Sequence, residues 1–305
     1  MTDHEDAARA GAGAGATTGV SSSGGPDATV ATSAGADPRH LAMAAAARRW
    51  GWWYQTEAWL RSFRYYAFSA LMYAVGQPLV YMIAMGIGLG TLVGQGAGTV
   101  DGVDYLTFVA PAILVSTAVM SVTGEMTYPV MTGFKWQRLY HAPAATAMSP
   151  GHIAHGHFVG VMLRFAAQCL VFWLIMLAFG ATSSPASVLL VPIGVLAAAA
   201  FGAPVQAYAS TLEDEGFQFS AIQRFVVMPM FLFAGTFFPL TVMPVYLQWI
   251  GWLSPVWHGS QLARVVSYGA DVAPWLIAAH VAFLVACTAL GLVWSRRSYT
   301  RRLSS

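Results

Sequence analysis

VLLVPIGVLAAAAFGAPVQAY, residues Val188 to Tyr208, runs for 21 positions without a charged side chain, with Pro192 and Pro204 near its ends. A helix needs about 20 such residues to cross the hydrocarbon core of a bilayer. The same criterion gives five further candidate spans. They are Ala67 to Leu92 around Pro78, Leu106 to Val122 with Pro111 in its first turns, and Phe158 to Phe179 with one charge, Arg164. The remaining two are the short run Phe225 to Pro239 and Pro274 to Trp294.

The chain of 305 residues is 57% hydrophobic and only 9% charged, with 15 basic and 13 acidic side chains. A water-soluble domain carries about 25% charged residues. Seven of the charges lie in the first 40 positions, leaving 21 for the other 265. A soluble globular enzyme, a disordered protein and a secreted disulfide scaffold are thereby excluded. An all-α polytopic membrane protein with six transmembrane helices is the expected fold. Cys169 and Cys287 fall inside apolar runs, where cysteine behaves as a small buried hydrophobe, and no disulfide is expected. Residues 1–43 are rich in Ala, Gly and Ser and short of side chains to bury, so they are expected to be a disordered tail without a cleavable signal.

Orientation follows from the basic residues, which gather on the cytoplasmic side. With six spans, Arg48, Arg49, Arg61, Arg64, Lys135, Arg138, Arg224, Arg296, Arg297, Arg301 and Arg302 share one side, and Arg264 stands alone on the other. Both termini are therefore expected in the cytoplasm, with 296–305 as a basic tail. Residues 44–66 carry Trp52, Trp59, Phe63 and Tyr66 at helical spacing and Glu57, Arg61 and Arg64 on another face. That pattern predicts an amphipathic helix in the headgroup plane, ahead of a transmembrane domain over 67–295. Leu240 to Tyr268 mixes three tryptophans with prolines and glycines, which predicts short re-entrant outer helices between spans five and six.

Lys135 is the only lysine and Trp136 follows it, so the chain has no phosphate-binding loop, which needs a glycine-rich turn ending in Lys and Ser or Thr. Gly86 to Gly90 lies in an apolar helix with no strand before it, and reads as helix packing or flexibility rather than dinucleotide binding. His141, His152, His155 and His157 cluster without a nearby cysteine or carboxylate, so headgroup-level histidines are favoured over a metal site. No serine, histidine and acid arrangement lies within the spans. Arg164 either turns into the bundle interior or snorkels to headgroups. Glu125 is a candidate for a structural ion pair or a gate.

Two stretches carry a resemblance. The first is Gly133-Phe134-Lys135-Trp136-Gln137-Arg138-Leu139-Tyr140-His141-Ala142, with Ala145-Thr146-Ala147 and Met148-Ser149-Pro150. The second is Phe233-Ala234-Gly235-Thr236-Phe237-Phe238-Pro239, then Pro244, Trp252-Leu253-Ser254-Pro255, His258 and Leu262-Ala263-Arg264. In order and spacing over about Arg48 to Arg302, they resemble type-2 ABC exporter permeases of the nodulation-factor and daunorubicin type.

The resemblance implies a permease dimer, most simply a homodimer, in a bacterial inner membrane. Two separate ATPase subunits would supply ATP and Mg chemistry that this chain lacks. Phe134, Lys135, Trp136, Arg138 and Tyr140 would form the coupling helix that meets the ATPase. Glu125, Arg164, Phe237, Phe238 and His258 are candidates for a gate or substrate path. Ala142-Pro143 departs from the family pattern in the coupling region. No cofactor, metal or nucleic acid is expected, and membrane lipid is the surrounding partner. The apolar spans suit a lipid-linked glycan, a glycolipid or a drug. An ion-coupled secondary transporter and a non-transporting scaffold are the alternatives, although no span interior carries Asp or Glu and no internal repeat is visible.

Overall fold

The computed structural model describes residues 37–90, 99–214 and 216–304. Within them the architecture is helical, with one isolated bridge between Val100 and Val103. The elements are α1 (Pro38–Phe63), α2 (Ala67–Ile83), α3 (Tyr105–Met131), α4 (His141–Ala144), α5 (Pro150–Ala178) and α6 (Leu190–Thr211). The apolar helix α7 (Gln218–Phe233) follows, then α8 (Val245–Trp252), α9 (Pro255–Tyr268) and α10 (Pro274–Leu303). Five of them, α2, α3, α5, α6 and α10 with their adjoining turns, are long and apolar enough to cross a membrane.

α3 is the central helix. Every side chain from Phe108 to Val119 is buried, and the Ser116 and Thr117 hydroxyls donate to the carbonyls of Ala112 and Ile113 at 2.7 and 2.8 Å. No buried hydroxyl there goes unpaired, as an apolar surrounding requires. α6, α9 and α5 pack around it, and α10 lies along α6.

Several boundaries differ from the expected ones for local reasons. Asp37 caps α1, its side chain accepting from the Arg39 amide at 2.9 Å, and Pro38 occupies the first turn. This start signal makes residues 38–43 helical; the Ala/Gly/Ser-rich stretch before them lies outside the described residues, as do the last two positions of the first span. α5 begins at Pro150, capped by Ser149, eight residues ahead of the apolar run. Residues 296–303 of the basic tail continue α10, held by Tyr299, which is fully buried, and by a 2.6 Å bond between Ser298 and Ser210.

Cross-connections define the two ends of the bundle. At one end Lys135 pairs with Asp214, Arg302 donates to the Ser210 carbonyl, and Phe134 packs on Tyr299. At the other, Tyr268 donates to Asp101 at 2.8 Å and the amides of Ser183 and Ser184 donate to the Ser267 carbonyl. α7 joins the two ends: Phe219 sits in the first cluster, and the Phe237 carbonyl beyond its far end accepts from the Tyr105 hydroxyl. Its 16 residues rise about 24 Å, and the irregular segment after Phe233 covers the rest.

That irregular segment is paid for in hydrogen bonds. Non-helical backbone in an apolar surrounding persists only with partners from the protein. Arg264, 2% exposed, donates through Nη2 to the Gly235 carbonyl at 2.7 Å and stacks over the Phe108 ring. Thr236 bonds to Ser116 at 2.9 Å. Gly235 has φ +74°, the left-handed region. Gly235→Ala is therefore expected to lower stability by about 1–2 kcal/mol, read as earlier thermal unfolding of the detergent-solubilised chain.

Candidate coupling site at one end of the bundle

α3 ends in a π turn, Thr132–Trp136, and the chain then reverses through Arg138 at φ +51° into the single turn of α4. Phe134 and Tyr140 are only 4% and 3% exposed. Phe134 lies 4.7 Å from the Tyr299 ring and 5.0 Å from the Tyr140 ring, and the Arg302 guanidinium sits 4.3 Å over it. Tyr140 bonds through its hydroxyl to His157 Nδ1 at 3.1 Å, and His157 Nε2 lies 3.3 Å from the Glu125 carbonyl. A carbonyl can only accept, so Nε2 carries the proton, Nδ1 accepts and Tyr140 donates. Burial pushes the Tyr140 phenol well above its usual value, which keeps that proton in place.

Between these two anchors, residues 135–139 are all exposed, with Trp136 at 47% and Leu139 at 55%. The structure thus divides the predicted coupling residues. Lys135, Trp136 and Arg138 project outward with Leu139, whereas Phe134 and Tyr140 turn into the chain and cannot themselves meet a partner's surface. The chain reversal rather than a continuous helix produces this, since the π turn stops at Trp136 and the chain is not helical again until His141. Trp136 stacks on Tyr128 at 6.5 Å. The buried anchors join a cluster with Val130, Ile153, Ala209, Phe219 and Tyr299, which come from α3, α5, α6, α7 and α10.

Glu125 and Arg164 form an ion pair with each other, joining α3 to the middle of α5. Arg164 also stands over Phe63 at 5.2 Å, the last residue of α1. Of its two expected placements, the protein-facing one is observed. α1 itself lies along α5, where Thr56 donates to the Gly156 carbonyl at 3.0 Å and Gly160 meets the Trp59 ring. A Cβ at Gly156 would come within 2.5 Å of the Trp52 carbonyl, so this small-xxx-small pair sets the close approach; the helical spacing of aromatics had not revealed it.

Phe237, Phe238 and His258 lie at the opposite end. Phe237 packs edge-on against Phe231 at 5.1 Å, and Phe238 is exposed. His258 is buried, with Nε2 3.0 Å from the Trp252 carbonyl and Nδ1 2.7 Å from Nδ1 of His280. These three candidates are thus separate from Glu125 and Arg164. The histidines after α3 disperse as well: His155 bonds to the Gly151 carbonyl at 2.7 Å and His157 serves Tyr140. Among the described residues no three His, Cys, Asp or Glu side chains are placed to hold a metal.

The model of the ABC-2 type transporter family matches residues 52–268, a stretch that runs from the packed half of α1 through the coupling turn to the end of α9. The chain belongs to the ABC-2 type transporter family. Such permeases are the non-catalytic membrane subunits and work with ABC ATPase subunits. Nodulation protein J of Rhizobium leguminosarum bv. viciae is 26% identical over 251 residues, covering 80% of this chain and 93% of the relative. The Bradyrhizobium diazoefficiens nodulation protein J is 26% identical over 253 residues, covering 81% and 93%. The inner membrane transport permease YadH of Escherichia coli K12 is 25% identical over 189 residues, covering 59% and 69%. In this ABC-2 permease, sequence reasoning had placed His157 at the headgroup level instead of beside Tyr140, and had missed Tyr299 and Gln206, whose amide donates to the Ala154 carbonyl and the Tyr299 hydroxyl. Only Gln206 carried a signal, as an amide within an apolar run; Tyr299 stands among arginines, where nothing in the sequence marks it as buried.

Proposed function

We propose that this permease is the membrane half of an ATP-driven exporter, working as a homodimer with two ATPase subunits docked on residues 135–139. The exposed Lys135-to-Leu139 turn, clamped on both sides by buried aromatics, carries this reading. ATP binding draws the two ATPases together, and movement of the turn displaces Phe134 and Tyr140. Because those rings pack against the ends of five helices, the displacement biases the whole bundle between two states. In this reading α7 with its irregular extension is a sixth crossing, both termini lie in the cytoplasm, and the membrane is a bacterial inner membrane, as the name of the Escherichia coli relative supports.

The cargo in this reading is amphiphilic or hydrophobic. A groove of about 410 Å3 opens between α2 and α5, walled by Phe63, Ala67, Ala70 and Ala74, with Arg164 and Gln168 as its polar end. An apolar trough ending in a guanidinium and an amide suits a molecule with a tail and a polar head. The test is reconstitution. Purified chain in proteoliposomes is expected to hydrolyse no ATP and to transport nothing, and addition of its ATPase with ATP is expected to start transport. Gradient-driven transport by the isolated chain would overturn the reading.

A further inference from the structure

At the inner end of the bundle, α10 and the end of α6 enclose a cavity of about 630 Å3. Trp294, Arg297, Arg301 and Arg302 line it from α10, and Ser210 and Glu213 from the opposite wall. The spacing 294, 297, 301 and 302 puts the tryptophan and the three arginines on one helix face. Arg302 is tethered by its bond to the Ser210 carbonyl and by its stacking on Phe134. Arg297 and Arg301 are exposed, and neither pairs with a carboxylate among the described residues. Glu213, the only acid lining it among the described residues, acts on Arg302, so the described lining carries two further positive charges, Arg297 and Arg301.

Depth identifies the ligand. Trp294 is exposed at the end of the apolar part of α10, and tryptophan marks the headgroup level. Arg297 lies about 4.5 Å further along the helix and Arg301 about 10 Å. The polar interfacial layer on each side of a bilayer is about 5–8 Å thick. Arg297 therefore stands at the height of lipid phosphates and Arg301, just beyond that layer, can reach back to it with its long side chain, and the pocket is large enough for a phosphate with its glycerol backbone. We propose that this cavity binds the phosphodiester headgroup of an anionic phospholipid. The site depends on neither the cargo nor the energy source of transport. Through Arg302 it touches Phe134, so an occupied site stiffens the anchor of the coupling turn.

The test uses the full chain in a neutral detergent, with thermal unfolding followed during titration of dioleoylphosphatidylglycerol, dioleoylphosphatidylcholine or inorganic phosphate. Phosphatidylglycerol is expected to raise the unfolding temperature saturably and phosphatidylcholine to leave it unchanged. R297Q/R301Q is expected to weaken the phosphatidylglycerol response about 30-fold, since each basic residue at a membrane surface contributes about fivefold. R297K/R301K, which keeps the charges, is expected to retain most of the response and so separates lost binding from a folding defect. R48Q/R49Q removes equal charge from α1 and is expected to bind normally. Equal losses in R48Q/R49Q and R297Q/R301Q would mean diffuse attraction and overturn the site. Inorganic phosphate matching the lipid response would overturn the lipid source. Normal lipid binding by R297Q/R301Q with failed association of the ATPase subunit would make this a protein-docking surface and likewise overturn the proposal.

Discussion

Replacing Trp136 and Arg138 together by alanine is expected to reduce ATP-driven transport to background while leaving the permease folded and the ATPase able to hydrolyse ATP. Both side chains lie in the exposed turn between Phe134 and Tyr140, and among the described residues the only ring Trp136 stacks on is the exposed Tyr128. Their removal therefore takes little from the core. Tryptophan and arginine are the residue types that dominate interface energies, at about 2 kcal/mol or more each. If the two contributions add, the pair is expected to weaken ATPase docking by a factor of ~1,000. Phe134→Ala should behave differently. It empties a buried site facing Tyr140 and Tyr299, a change that costs about 3–5 kcal/mol in a packed core, and its first consequence is poor recovery of folded protein. Yield and monodispersity of the purified chain separate the two phenotypes. Undiminished transport by the folded W136A/R138A variant would remove the turn from the coupling role.

The spans were legible because crossing a bilayer imposes a length and an apolar composition on each one separately. The apolar runs of α3, α6 and α10 announce themselves for that reason. What lies outside the hydrocarbon was less legible, because no solvent requirement marks its ends: α5 extends eight residues before its apolar run, and α10 continues through Arg296 and Arg297 on the strength of Tyr299 and Ser298. The resemblance singled out Phe134 to Tyr140 as a segment, but not the directions of its side chains. A chain reversal at Arg138 has no period from which facing can be read, so the inward rotation of Phe134 and Tyr140 had to come from contacts with α5 and α10. Arg264 illustrates the same gap. Sequence left it as the one positive charge on the outer side, while its partner, the Gly235 carbonyl, is a backbone atom 29 positions away that composition does not record.

Breaking the Glu125–Arg164 pair from one side is expected to cost more than removing both charges. Each partner is largely enclosed, Glu125 on α3 and Arg164 at the centre of α5. Removing one partner of such a pair leaves an uncompensated charge, at about 3–5 kcal/mol, whereas replacing both groups by neutral ones of similar size is often close to neutral. Partial exposure places both single variants at the lower end, so Glu125→Gln and Arg164→Gln are each expected to destabilise the detergent-solubilised chain by about 3 kcal/mol. Arg164→Gln also removes the cation from over Phe63, a contribution of about 1 kcal/mol that loosens the end of α1. The double variant E125Q/R164Q is expected to cost less than either single, and so to fall short of the sum of the singles by more than about 3 kcal/mol. Denaturant unfolding of the four proteins measures that difference directly, and additivity within about 0.5 kcal/mol would show that the two groups do not interact. Transport then assigns the pair its role. Normal transport by the double variant would confine the pair to holding α1, α3 and α5 together, while lost transport in a double variant of near-normal stability would make it part of the gate.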